Sequence, residues 1–367
     1  MLKVFRNAVI YTGNEIFEGK SLVVRDGTVE SVVDISEIPA DAEVMDCGGN
    51  NLVPGFLDLQ IAGGGGFLFS ANPAPEALES IAEAISASGT TGFLIAIPTN
   101  SFDVYRKVIR VVKENPHPAV LGLHIEGPYI SPLRRGAHIK EFIKPPEVNE
   151  LKELISLADG VVKMVTLAPE ICGREIISLL NDNGIVVAAG HSNATYQQGM
   201  QGFHDGIRTT THLFNAMSQL HHRDPGLPGA VFQSETACAS IIADGIHVDY
   251  SMVSIAKKLL KERLFLISDA VEENSAESYM HVRKGDRFTL PDGTLSGSAL
   301  TMMKAVENCV RNISIPVDEA LRMATLYPAR LMGLGGRGRL EPGCRADLVL
   351  FDNNFNVEMV CLNGNMV

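Results

Sequence analysis

Apolar and polar positions change rhythm twice along this chain. In the first fifty residues KVFRNAVIY and SLVVRDGTVESVV alternate apolar with polar residues, and Asp26-Gly27 interrupts the second run. A two-residue period predicts half-buried strands, and Asp-Gly between two of them predicts a tight hairpin. The rhythm returns from about Gly338 in RLEPGCRADLVLFD and VEMVCLNGNMV, with Asn363-Gly364 as a second such turn. Neither half-sheet could stand alone, so the two ends predict one small β-sandwich domain built from both termini. Between them APEALESIAEAISAS, DVYRKVIRVVKEN and SMVSIAKKLLKERL carry the wider spacing of amphipathic helices. Such stretches alternate with eight apolar runs of strand length: VPGFLDLQI, TGFLIAIPT, VLGLHIEG, VKMVTLAP, IVVAAGHS, RTTTHLFN, SIIADGIH and LFLISDA. Burial on both faces, alternation with helices and the number eight predict an α/β fold, a closed parallel (β/α)8 barrel of TIM type rather than an open doubly wound sheet. The expected division is 1–53 plus 336–367 for the β domain and 54–335 for the catalytic barrel.

Composition narrows the classes. No apolar stretch reaches the ~18 residues of a membrane span, and the start MLKVFRNAVIYTG reads as a first strand, without the apolar core of a secretory signal. Six scattered cysteines without CxxC spacing point to reduced thiols in a cytoplasm. Lys and Arg total 31 against 43 acids, and the resulting net charge of −12 argues against nucleic acid or an anionic membrane as partner. An anionic substrate would therefore need a local positive site, which directs attention to Arg223.

Four ionisable residues sit just past apolar runs: Glu126, His191, His212 and Asp269. Strand ends of this kind gather at one rim of a barrel. A catalytic zinc or similar ion takes about three His or carboxylate ligands and keeps a position open, which Glu126, His191 and His212 would supply. Each also has a structural reading. Glu126 could pair with Arg134 or Arg135, His191 could cap the following helix, and His212 could be a core histidine. Asp269 could move a proton between water and a leaving group, or cap a helix. His247, after ADGI, could hydrogen-bond a substrate carbonyl or sit in a surface loop. HLFNAMSQLHHRDPGLPG places Asn215, His221, His222 and Arg223 in one loop suited to an anion, unless Asp224 holds the arginine. The GGGG at 63–66 lacks the Gly-Lys-Ser/Thr of a phosphate loop and reads as a flexible turn. His117 and His281 lie in polar stretches and read as surface residues.

LVPGFLDLQ, HIEGPYIS, RRGAH, VTLAPE, AAGHSNAT, THLFNAM, RDPGLPGA, ADGIHVD, SDA, GTLSGSALTM and ATLYPARLMGL run in order along nearly the whole chain. Together they resemble the N-acetylglucosamine-6-phosphate deacetylase family of the amidohydrolase superfamily. The resemblance implies a homodimeric cytoplasmic enzyme of amino-sugar catabolism that cleaves the acetamide of N-acetyl-D-glucosamine 6-phosphate. It implies Glu126, His191 and His212 as metal ligands, Asp269 as acid/base and His247 as the group polarising the acetyl carbonyl. Ala137, His138, Leu295, Ser296 and Gly297 would line the sugar site, with Gln60, Asn215 and Ala216 near the phosphate. Arg223 would reach the neighbouring subunit's active site. Gln60-Ile61-Ala62 stands where many amidohydrolases carry His-x-His, and Thr166-Leu167-Ala168 lacks the bridging lysine of some. One divalent ion per subunit is therefore expected, zinc first, with iron or another divalent ion as alternatives. The galactosamine epimer as substrate and a non-catalytic sugar-phosphate sensor remain as other readings.

Overall fold

The computed structural model describes residues 1–275 and 279–367. Among them eight strands follow one another in a single sheet: Phe56–Ile61, Thr90–Pro98, Val120–Glu126, Val162–Leu167, Val186–Ala189, Thr209–Thr210, Cys238–Ile241 and Leu264–Leu266. The ends of that sheet meet. Ile61 bridges Ala270 in parallel, the Ala62 N–H donates to the Ala270 carbonyl at 2.8 Å, and the Asp269 N–H donates to the Gln60 carbonyl at 3.1 Å. This is the closed barrel that the eight runs predicted. Every residue of Phe56–Ile61 is buried, as are all but one of Thr90–Pro98, because side chains fill the inside and crossover helices cover the outside. The helix Phe102–Glu114 shows how the cover is made. Ser101 caps it by accepting the Val104 N–H, and Tyr105, Val108, Ile109 and Val112 form its buried stripe while Arg106, Lys107 and Arg110 face outward.

Two compact units emerge from the packing. The first comprises Met1–Asp58, Glu83–Gly92 and Thr301–Val367. Its four-stranded sheet is N-terminal, whereas its six-stranded sheet runs Asn365–Met366, Val357–Leu362, Leu348–Phe351, Asn51–Pro54, Val9–Tyr11, Ile16–Phe17 and so mixes both ends of the chain. Phe5, Leu22 and Val24 of one sheet pack with Ile10, Leu52, Leu348 and Leu350 of the other in one core, as expected of a β-sandwich. Asp26-Gly27 and Asn363-Gly364 all lie at positive φ, between 48° and 78°, as the mirror-image hairpin turn requires. The two turns touch: a Cβ on Gly27 would lie 2.7 Å from the Asn363 carbonyl oxygen.

The second unit, Leu59–Ala82 with Phe93–Leu300, carries a polar chain through its core. His124 is 1% exposed, with Nδ1 3.0 Å from the Leu59 carbonyl and Nε2 2.7 Å from Thr166 Oγ1, which lies 2.6 Å from Thr211 Oγ1. The carbonyl fixes the proton on Nδ1, so Thr166 donates to Nε2 and Thr211 donates to Thr166. Burial holds the His124 pKa below its usual value, which keeps the ring neutral. Thr166→Val removes the middle link at nearly constant shape and should cost about 1–3 kcal/mol in urea unfolding; an unchanged midpoint would show the chain to be idle.

Three local departures bear on the site. RTTTHLFN supplies only Thr209–Thr210 as strand, since the backbone turns left-handed at His212, Phe214 and Ala216 (φ 34°, 77° and 46°). The glycine run is an ordered hairpin rather than a flexible turn, with Gly63–Gly64 paired to Phe67–Leu68. Finally, Val282–Lys284, Arg287–Thr289 and Leu295–Ser298 form an antiparallel sheet after the eighth barrel strand. Its turn signals, Gly285-Asp286 and Pro291-Asp292-Gly293, were present in the sequence.

Candidate metal centre and active site

The third, fifth and sixth barrel strands end close together at one rim. There Glu126 Oε1 lies 3.2 Å from His191 Nε2 and 3.0 Å from His212 Nε2, and the two nitrogens are 3.1 Å apart. All three residues are buried. His191 Nδ1 lies 3.0 Å from the Arg134 carbonyl, which fixes its proton there and turns the Nε2 lone pair inward. Two imidazole nitrogens and an anionic oxygen facing one another repel unless a cation is shared. A tetrahedral ion with bonds of about 2.1 Å holds its ligands about 3.4 Å apart, so these atoms need part by only a few tenths of an ångström. The donor set fits a divalent ion.

Glu126 is buried, which alone would raise its pKa, but the imidazoles of His138, His191 and His212 gathered around it outweigh burial and hold it well below the ordinary carboxylate range. Burial alone would lower the His212 pKa, and Glu126 outweighs it, leaving a net upward shift. Asp269 is pushed up, first by burial and then by Glu126, against His212 and His247. Neither alternative partner for Glu126 is realised: Arg134 bonds Asn193 and Arg135 bonds the His138 carbonyl. Thr195, rather than His191, caps the helix Tyr196–Asp205. Four of these positions, His191, His212, Ala216 and Asp269, are non-glycine residues at φ between 34° and 52°. Such backbone costs of order 1 kcal/mol each and concentrates at functional sites.

Glu126, His191, His212, His247 and Asp269 line a cavity of about 260 Å³, with Ala137, His138, Asn215, Ala216, Leu295, Ser296 and Gly297 around it. Gln60, expected near the phosphate, reaches the ligand cluster. Its Nε2 donates to Glu126 Oε1 at 3.1 Å and Asp269 Oδ1 at 2.9 Å, because the first strand ends at the same rim as the third and eighth. Arg223 is exposed and absent from the cavity lining.

Sequence reasoning gives His138 only as a sugar contact, omits Asp244 and reads His281 as a surface residue. His138 lies with Nε2 3.6 Å from Glu126 Oε2 and its ring 4.1 Å from that of His191; burial brings its pKa down to about 4. Asp244 pairs with His247, and its signal was the i,i+3 spacing in ADGIH. His281 is not on the surface: it is 5% exposed, lines the cavity, and sets Nδ1 2.8 Å from Ser296 Oγ, because the antiparallel sheet folds it inward. Burial pulls the His281 pKa from 6.5 to about 4. Between those values the unfolded chain binds the proton more readily, so this contribution is intact above pH 6.5 and is lost as pH falls toward 4, by roughly 3 kcal/mol at most. Urea unfolding at pH 7 and pH 4.5 should show a smaller difference for His281→Gln than for the natural protein.

Residues 51–367 match the amidohydrolase family, and residues 4–52 match the NagA composite domain. This chain belongs to the amidohydrolase family. Family membership implies a divalent metal, and Glu126, His191 and His212 form a group able to hold one. An N-acetylglucosamine-6-phosphate deacetylase from Haemophilus influenzae is 35% identical over 98% of this amidohydrolase and 97% of that protein. An N-acetylgalactosamine-6-phosphate deacetylase from Escherichia coli O157:H7 is 31% identical over 100% and 99%. The crystal structure of the Pasteurella multocida N-acetylglucosamine-6-phosphate deacetylase superposes with a TM-score of 0.97 at 34% identity, covering all of both chains.

Proposed function

We propose that this amidohydrolase hydrolyses N-acetyl-D-glucosamine 6-phosphate to D-glucosamine 6-phosphate and acetate. The observation that carries the reading is Glu126, His191 and His212 meeting within hydrogen-bond distance, with Asp269 tied to the same cluster through Gln60. When bound, the ion supplies a Lewis acid that makes water acidic enough to deprotonate near neutral pH. Asp269, held by Gln60, takes that proton. Its raised pKa then suits it to return the proton to the amine, which must leave neutral because an amide anion is too basic. His247 steadies the carbonyl oxygen as negative charge develops there. A non-catalytic sensor would leave Asp269 without a task.

Zinc is the proposed ion, with iron next, and one ion is expected because the Gln60 amide donates toward Glu126 and Asp269 where a second ion would need lone pairs. Ala137, His138, Asn215, Ala216, Leu295, Ser296 and Gly297 are proposed to contact the sugar phosphate. The assignment of 1–53 plus 336–367 to support and 54–335 to catalysis belongs to the same reading, as does a cytoplasmic location; among the described residues no helix is long and apolar enough to cross a membrane. Exposed Arg223 is proposed to bind the phosphate in a partner subunit of a homodimer. Hybrids of Arg223→Ala and Asp269→Asn chains should then recover activity that neither parent has, whereas an arginine serving its own site leaves the hybrids dead.

The galactosamine epimer is the second reading, favoured by the Escherichia coli relative. Metal analysis combined with acetate release from both phosphorylated epimers and from unphosphorylated N-acetylglucosamine tests both. The first reading requires the glucosamine phosphate to give the highest kcat/KM. A preference for its epimer, or indifference to the phosphate, overturns it.

A further inference from the structure

Asp244 is a carboxylate whose side chain is 5% exposed, and its partner faces the cavity. Oδ1 accepts the backbone N–H groups of Ile246 and His247, each at 2.8 Å, and Oδ2 lies 2.6 Å from His247 Nδ1. The turn beneath is fixed as well. Gly245 sits at φ +73° with no room for a Cβ, which would lie 2.7 Å from the Tyr250 ring, and the Tyr250 hydroxyl donates to the Asp244 carbonyl at 3.3 Å. Three donors therefore lock this carboxylate in one orientation. Burial by itself would raise the Asp244 pKa, but the His247 ring and the two N–H groups outweigh it and hold the acid ionised.

An ionised carboxylate accepts and cannot donate, so the proton between the two residues belongs to His247 Nδ1. A neutral ring then turns a bare Nε2 lone pair to the cavity. That lone pair would repel a carbonyl oxygen. To donate from Nε2, the ring must carry a second proton, and Asp244 is the counter-charge for that imidazolium. We propose that Asp244 is a positioning residue that reserves Nδ1 for itself and so makes His247 a cationic, rather than a neutral, hydrogen-bond donor to the substrate's amide oxygen. This rests on the deacetylase reading. A charged donor binds an oxygen that is gaining negative charge more strongly than a neutral one does, so the gain falls in the transition state.

The test starts from the natural protein loaded with zinc. Its His247 ¹⁵N shifts should show a protonated Nδ1, and an unprotonated, imine-type Nδ1 would overturn the assignment. In Asp244→Asn the amide oxygen can keep the two backbone N–H groups, so the NH₂ turns to Nδ1 and makes it an acceptor. Nε2 then becomes a neutral donor. The hydrogen bond survives without its charge, so kcat should fall about 10- to 100-fold with KM nearly constant. On a His247→Gln background the same substitution should cost no further factor. Equal losses on both backgrounds would show that Asp244 acts independently of His247 and overturn the proposal; the NMR result stands even if the variant does not fold. A protein that releases no acetate yet keeps the Nδ1 proton sinks the deacetylase reading and upholds the Asp244–His247 pair.

Discussion

Replacing Asp269 with Asn is expected to lower kcat by about two to four decades while the protein keeps its metal, as measured by acetate release and metal analysis on one preparation. The substitution is well isolated. Asn tolerates the left-handed backbone that Asp269 occupies at φ 52°, and its amide oxygen can still accept the Gln60 Nε2 hydrogen bond now 2.9 Å long. What disappears is the ability to take a proton and give it back. Because Asp269 lies outside the converging set of Glu126, His191 and His212, loss of metal together with activity would refute its role as acid/base, and so would full activity.

Glu126→Gln should abolish both metal binding and turnover. Glu126 Oε1 is the shared contact of both imidazoles, at 3.2 and 3.0 Å, and it brings the only negative charge among the three ligand atoms. Its neutral replacement leaves two imidazoles, too few for the three-ligand set of a catalytic site. The consequence extends to stability. An ion that binds only the folded state at 100 times its Kd stabilises by about 2.7 kcal/mol. Zinc added to the stripped natural protein should therefore raise Tm by several degrees, with the same rise in Asp269→Asn and none in Glu126→Gln. If stripping leaves activity and Tm unchanged, the metal reading fails.

Much of the fold could be read from the chain because burial imposes a pattern on sequence. Each of the eight barrel strands overlaps one of the eight predicted runs, although Cys238–Ile241 starts two residues ahead of SIIADGIH and only Thr209–Thr210 of RTTTHLFN is strand, and Asp26-Gly27 and Asn363-Gly364 form the turns their composition demands. Glu126, His191, His212 and Asp269 could be picked out because each follows such a run, where a polar group is costly without a purpose. The errors have one cause as well. His281 follows a polar stretch, yet an antiparallel sheet folds it into the cavity wall beside Ser296. The Gln60 contacts to Glu126 and Asp269 were out of reach as well, because nothing along the chain says which residues of the other strands its amide will meet.

What the sequence determined by itself was therefore the order of strands and helices, the pairing of the chain ends, and the residue types at each strand end, since hydrophobic period and turn chemistry are local properties. Tertiary structure decided who meets whom: the Gln60 bridge from Glu126 to Asp269, His138 against Glu126, and Asp244 with its proton partner His247. Those contacts depend on barrel closure and loop geometry, which bring together groups up to 209 residues apart. Chemistry at this rim depends on orientation and tautomer at the scale of a single hydrogen bond, and only the folded chain sets those.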